Sequence, residues 1–333
     1  MMKAILQQLS DHLTLSRQDA RDVLVQIASG QVNNSQVSAF MTIYLMRNVT
    51  LQELEGFRDA MLELCVPVNV DRPVIDVCGT GGDGKNTFNI STLAAFVVAA
   101  AGQPVAKHGN YGVSSVSGSS TVLEFLGYRF TNDHDQLQRS LDETNVMFMH
   151  APLFHPAMKN VAPIRKELGV KTFFNMLGPM VNPARPEYQF AGVFSLELAR
   201  QYAYLYQQTS KRFTIVHDLA GYDEVSLTGG CKVYSQAGEQ ILQPEALGLT
   251  RIQGDQIAGG KSVEESARVF ENILKNEGTP AQRQVVIVNA ALALACARQI
   301  PTVEAVALAT EALASGAAGR RFQKFMEINR EGR

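Results

Sequence analysis

Apolar residues recur at helical spacing over the first 65 positions and change period near residue 74. Ser16-Arg-Gln-Asp19 and Thr50-Leu-Gln-Glu53 read as capping boxes at the start of two helices, and Gly30 as a helix stop. Between them, Ser38, Ala39, Met41, Thr42, Ile43, Leu45 and Met46 put apolar or small groups on most sides of one helix. Such a helix needs partners on more than one face. Residues 66–73, Val-Pro-Val-Asn-Val-Asp-Arg-Pro, read as an extended linker. Beyond it, short apolar runs predict strands at 74–78, 105–107, 128–130, 146–150 and 213–217, with helices at 91–101 and 119–126. The helix at 91–101 is apolar all round and therefore buried, and Gly102 ends it. A β-rich piece follows near 231–236, then long helices: Ser262-Val-Glu-Glu265 caps one, Pro280 opens another, and 285–297 reads as a core helix.

This pattern predicts the α/β class, with a small N-terminal helical domain followed by a mostly parallel central sheet flanked by helices. The expected division is 1–70 helical, with a segment near 160–180 as a candidate addition, and 71–333 α/β.

The loop after the first strand concentrates the chemistry. In Val77-Cys-Gly-Thr-Gly-Gly-Asp-Gly-Lys-Asn-Thr-Phe-Asn-Ile-Ser-Thr92, four glycines sit between a strand and an apolar helix. Main-chain N–H groups can converge there, and the helix start adds partial positive charge, which suits phosphate. A dinucleotide fingerprint is disfavoured, because the following strand ends in Lys107 and His108 instead of an acid. A triphosphate P-loop is disfavoured by Asn86 at the Ser/Thr position and by Asp83 inside the cradle. Asp83 suits a ligand with ribose hydroxyls, or a metal travelling with its phosphates. Lys107-His-Gly-Asn-Tyr-Gly-Val-Ser-Ser115 emerges at the same sheet edge, and Gly118-Ser119 begins another helix. Asp223-Glu224 lies in the loop after the strand at 213–217, and adjacent carboxylates there suit magnesium.

A composition of 46% hydrophobic and 19% charged residues fits a globular enzyme, and a net charge of −2 gives no electrostatic reason to expect nucleic acid. Cys65, Cys78, Cys231 and Cys296 are isolated, which suggests neither a zinc site nor a disulfide framework. With no signal pattern and no membrane-length apolar run, the expected location is cytoplasmic and no membrane partner is expected.

Taken in order, Gly79-Thr-Gly-Gly-Asp83, Asn89-Ile-Ser-Thr92, Lys107-His-Gly-Asn110, Ser114-Ser115, Gly118-Ser119 and Val122-Leu-Glu-Phe-Leu-Gly127 resemble the anthranilate phosphoribosyltransferase family. So do His155-Pro-Ala-Met158 through Arg165, Phe174-Asn-Met-Leu-Gly-Pro179 with Asn182-Pro183, and Asp223-Glu224. The resemblance covers essentially the whole chain. It implies transfer of the 5-phosphoribosyl group of phosphoribosyl pyrophosphate to the amine of anthranilate, releasing pyrophosphate, in tryptophan synthesis. It implies that Gly79, Gly82, Asp83, Thr87, Asn89, Ile90, Ser91, Thr92, Lys107, Ser115 and Ser119 hold the donor. Ser91, Asp223 and Glu224 would serve Mg2+. Gly79, His108, Asn110 and Arg165 would line the anthranilate path. No acid, base or nucleophile is implied, and the expected assembly is a homodimer through the N-terminal helices.

The chain departs from the family at Tyr111, usually arginine, at Gly112, usually another small residue, at Val116, commonly lysine, and at Ser120-Thr121, commonly Ala-Asp. Two cations are thereby lost beside the phosphate loop, leaving Lys107 and Mg2+ a larger share of the pyrophosphate charge. Two rival functions are a pyrimidine nucleoside phosphorylase and a non-catalytic nucleic-acid-binding relative. Asp223-Glu224 and Asn110 with Arg165 favour phosphoribosyl transfer over the first, and the slightly acidic charge counts against the second.

Overall fold

Ser16 and Thr50 act as their spacing predicts. Ser16 accepts the N–H of Asp19, and Thr50 and Glu53 cap one another reciprocally, starting two of the four helices that open the chain. These are α1 (Met2–Ser10), α2 (Arg17–Ala28), α3 (Asn34–Met46) and α4 (Leu51–Leu64). The computed structural model describes residues 1–112 and 118–330. Glu53 is fully buried and accepts from the Leu15 N–H and the Tyr44 hydroxyl, both at 3.0 Å, and from Arg47. It thus ties the entry of α2 to the end of α3.

The second pattern begins with β1 (Ile75–Gly79), α5 (Ile90–Ala100), β2 (Val105–Gly109), α6 (Ser119–Phe125), α7 (His134–Thr144) and β3 (Val146–His150). Next come α8 (Ala151–Phe154), α9 (Ala162–Leu168) and three short 3-10 turns. The sheet then resumes with β4 (Tyr188–Gly192), α10 (Leu196–Gln207), β5 (Arg212–Asp218), β6 (Cys231–Ser235) and β7 (Gly238–Leu242). Four helices close the chain: α11 (Val263–Leu274), α12 (Pro280–Arg298), α13 (Thr302–Ala314) and α14 (Ala317–Arg330). The sheet order is β3-β2-β1-β4-β5-β6-β7, parallel through the first five strands and antiparallel through the last two. α5 and α12 are buried along most of their length, as their unbroken apolar runs require. Among the described residues no helix is long and apolar enough to cross a membrane.

By contacts the chain divides into Met1–Val68 with Ala151–Arg185, and Asn69–His150 with Pro186–Arg333; the candidate addition near 160–180 thus falls with the helices and interrupts the expected run 71–333. The excursion belongs with the helices because its aromatic residues complete their core: Phe173 stacks on Phe57 at 4.4 Å and meets Phe40 and Tyr44 edge-on. Residues 128–130 are not a strand. Their rings serve packing instead, Tyr128 stacking on Phe325 at 4.7 Å and Phe130 on His150 at 4.1 Å. β4 was not anticipated, since Tyr-Gln-Phe-Ala-Gly carries no β-branched residue and only a short apolar stretch.

Candidate active site

β1 lies between β2 and β4, and the chain leaves it in one direction for β2 and later returns to its other side with β4. Parallel sheets bind ligands beyond the carboxyl ends of the strands at such a reversal. The ends there are Gly79 of β1, Gly109 of β2, Gly192 of β4 and Asp218 of β5.

The loop after β5 crosses this point. A methyl group at Gly192 would overlap the main-chain oxygen of Asp223, and one at Gly79 would overlap the Asp223 carboxylate. Only strand ends without side chains admit the acidic pair so close to the sheet. Asp223 accepts the Gly81 N–H at 2.6 Å and donates its own N–H to Asp83 Oδ2 at 3.3 Å. Glu224 Oε1 accepts the Ser91 N–H at 3.2 Å, from the first turn of α5, whereas Glu224 Oε2 is buried and has no hydrogen-bond partner among the described residues. Both side chains are almost fully buried. Burial, then the neighbouring charges of Glu224 and Asp83, push the Asp223 carboxyl well above the usual range. Burial pushes Glu224 up to about 7, against the opposing pull of Lys107.

Lys107 is 3% exposed, and its Nζ donates to Val77 O at 2.6 Å and to Ser91 Oγ at 3.3 Å. The expected phosphate cation is therefore turned beneath the site, toward the backbone of β1 and the start of α5. Ser91 joins both partners, its N–H on Glu224 and its hydroxyl on Lys107.

Of the remaining donor-site residues, Gly82 has φ +81° in the turn, and Asp83 Oδ1 accepts the Lys85 N–H at 3.0 Å. Thr87 pairs with Ala258 as an isolated bridge. Asn89 precedes α5, Thr92 is buried in its first turn, and the Ile90 side chain belongs to the apolar core. Ser119 opens α6 and donates its hydroxyl to Asn110 O at 3.2 Å. Ser115 lies outside the described residues, as do Ser114 and Val116. His108 gives its N–H to the buried Asp76, and Asn110 turns its side-chain oxygen onto the Tyr111 N–H at 2.8 Å. Arg165, on α9 in the first unit, lies 5.2 Å from the Phe174 ring centroid and donates to Asn175 Oδ1 at 3.3 Å; burial lowers its pKa.

Sequence reasoning missed a strap across the phosphate loop. Phe88 N–H reaches Ile257 O at 3.3 Å, Gly259 N–H reaches Asn86 O at 2.8 Å, and Asn86 Nδ2 reaches Gly260 O at 3.1 Å. It also missed Asp218, fully buried, whose carboxylate accepts from Ala220 N–H, Ser226 N–H and the Ser226 hydroxyl within 3.0 Å. The only local signal for either was a Gly-Gly pair and an acid at a strand end.

Two family descriptions match: a glycosyl transferase a/b domain over residues 71–319 and a glycosyl transferase helical bundle domain over residues 3–65. The chain is 54% identical over 329 residues to an anthranilate phosphoribosyltransferase of Flavobacterium johnsoniae, covering 98% of this chain and 100% of the relative. Among solved structures, the enzyme of that name from Thermus thermophilus superposes with TM-score 0.91 at 35% identity, covering 98% of this chain and 99% of the other. That of Saccharomyces cerevisiae, in complex with PRPP and Mg, gives 0.90 at 29% identity, covering 99% and 98%.

Proposed function

The chain belongs to the glycosyl transferase family that joins a helical bundle domain to an a/b domain, and we propose from that membership how its strand-end site works. It is a glycosyltransferase, moving the 5-phosphoribosyl group of phosphoribosyl pyrophosphate to the amine of anthranilate with release of pyrophosphate. The observation that carries the residue assignment is the seat of Asp223-Glu224 over the glycine ends of β1 and β4, with a buried carboxylate oxygen that has no partner among the described residues.

That donor set fits a divalent cation. Burial raises the cost of ionising both carboxylates, and for Asp223 the neighbouring charges add to it; a bound divalent cation would lower that cost, and oxygen-only ligands suit Mg2+. No group of three or more His, Cys, Asp and Glu side chains is gathered as a cage among the described residues, which suits an ion that keeps several waters. Asp223 and Glu224, with the Ser91 hydroxyl, would hold it. When bound, Mg2+ neutralises charge developing on the departing pyrophosphate.

The protein's own groups do the rest. The N–H groups of Gly81, Lys85, Phe88 and Ser91 already have acceptors. Phosphate would therefore be held by other main-chain N–H groups of the Gly79–Asn89 turn and by the partial positive charge at the start of α5, and Asp83 would accept from ribose hydroxyls. Lys107 offsets the charge of Glu224 from beneath. Arg165 supplies a planar guanidinium that matches the carboxylate of anthranilate. The aryl amine is already neutral at pH 7, so positioning replaces proton abstraction, and no acid–base pair is assigned. A homodimer through the N-terminal helices, which rests on the resemblance, and a cytoplasmic location complete the proposal.

The test follows the loss of anthranilate fluorescence with phosphoribosyl pyrophosphate and Mg2+ present. Consumption that needs all three supports the reading. Phosphorolysis of a pyrimidine nucleoside, with anthranilate untouched, would refute it.

A further inference from the structure

We infer that Asn289 is a positioning residue for the acidic pair, acting through the backbone of Val225; this rests on Asp223 and Glu224 being the cation-binding carboxylates. Asn289 sits mid-way along α12, fully buried between Val288 and Ala290 in an otherwise apolar stretch. A primary amide there is costly unless every polar atom is paired. Each is: Oδ1 accepts the Val225 N–H at 3.0 Å, and Nδ2 donates to Val225 O at 2.9 Å and to Val285 O at 2.8 Å.

The pairing with Val225 is two-point, as between neighbouring strands, so it fixes both the height and the rotation of that residue. Val225 directly follows Glu224. Its N–H belongs to the peptide group that leaves Glu224, so the amide sets the direction in which the Glu224 side chain departs. On the opposite side, Gly79 and Gly192 leave no space for the loop to sink. One residue further on, Ser226 is bonded to Asp218. The acidic pair is thereby confined from the sheet, from β5 and from α12.

Something must hold it. Adjacent buried carboxylates repel one another, and an unrestrained loop would swing at least one of them into water. Within the helix the amide makes one bond, to Val285 O, and leucine, with the same branched heavy-atom skeleton, suits the surrounding apolar pattern. Its other two bonds both go to the loop.

The experiment uses the full-length chain in three forms: wild type, Asn289→Leu and Asn289→Ser. Readouts are the Mg2+ concentration giving half-maximal rate, calorimetric titration with Mg2+ alone, and the KM for anthranilate. In both folded variants the Mg2+ requirement rises about tenfold, the usual scale for a lost supporting bond behind a metal ligand, while the KM for anthranilate is unchanged. A wild-type Mg2+ dependence in either folded variant overturns the inference. Hydrogen exchange on the wild type decides the matter even where a variant does not fold. The Val225 amide exchanges as slowly as the interior amides of α12; exchange at the rate of an exposed loop overturns the inference. Asp223→Asn with Glu224→Gln separates the two levels. An unaltered Mg2+ dependence in that variant removes the carboxylate assignment, and the Val225 exchange rate still decides whether Asn289 holds the loop.

Discussion

Glu224 accepts the main-chain N–H of Ser91 at 3.2 Å, so the acidic loop after β5 and the first turn of α5 share one hydrogen bond. Lys107 donates to the hydroxyl of the same serine at 3.3 Å. A carboxylate, a helix start and a buried lysine thus meet at one residue.

Replacing both carboxylates, Asp223→Asn with Glu224→Gln, lowers kcat/KM for phosphoribosyl pyrophosphate by roughly two orders of magnitude or more, the scale of removing a transition-state electrostatic partner. The circular dichroism spectrum stays that of the wild type. Near-normal turnover at saturating Mg2+ contradicts the assignment.

In the free protein the Glu224 carboxyl makes a contribution to stability that falls as pH rises. Folding pushes the Glu224 carboxyl up to about 7 from an ordinary 4.5, so the folded state holds its proton more tightly than the unfolded chain does. Its contribution is fully present below the unfolded pKa and is lost on passing from 4.5 through about 7, a change of roughly 1–3 kcal/mol. Asp223, shifted the same way, adds to the trend. Denaturant melts from about pH 4.5 to 8 without divalent cations check this, and Glu224→Gln shows a shallower slope. Burial lowers the pKa of His150, which works in the opposite sense in the same window, so the test is the difference between wild type and Glu224→Gln; a difference that climbs with pH disproves the argument.

Gly192→Ala and Gly81→Ala separate two kinds of glycine requirement. At Gly192 a methyl meets the main-chain oxygen of Asp223, which cannot move without lifting the acidic pair. That variant loses roughly 1–3 kcal/mol in melts and its Mg2+-dependent activity together. At Gly81 nothing stands within 4 Å of the added methyl, and only the left-handed backbone, φ +68°, is strained. Its cost is about 1–2 kcal/mol. Equal Mg2+ requirements in the two variants would count against the floor that Gly192 provides.

Arg165→Ala raises the KM for anthranilate about tenfold or more and leaves the KM for phosphoribosyl pyrophosphate within about twofold, as expected for loss of one charge-assisted carboxylate contact. Arg165→Lys does not restore the wild-type value, because an ammonium lacks the two-point fork and the planar face that rests on Phe174. Steady-state kinetics with each substrate varied in turn will show it; a shift confined to phosphoribosyl pyrophosphate would reassign the residue.

Much of the fold was legible because its signals are local. Ser16, Thr50, Ser262 and Pro280 announce helix starts through their own side chains or rings, and each stands where a helix begins. The glycine loop and Asp223-Glu224 were legible for the same reason, as unusual residue types in short stretches. β4 was not, although its last residue, Gly192, is part of the floor beneath Asp223. Nor was the seat of Lys107: its charge predicts an exposed phosphate contact, and the register of β2 beside β1 turns it toward Val77 and Ser91.

What the sequence determined by itself is therefore most of the helices and strands, the phosphate-suited turn and the family, all carried by spacings of a few residues. Only the tertiary structure decided which strand lies beside β1, that Ala151–Arg185 belongs with the helices, and that Asn289 reaches Val225 across 64 positions of chain. The physical reason is distance along the polypeptide. Caps, turns and periodicity are energies between near neighbours, whereas a buried amide or a bare glycine acquires its meaning only from the backbone that folding brings against it.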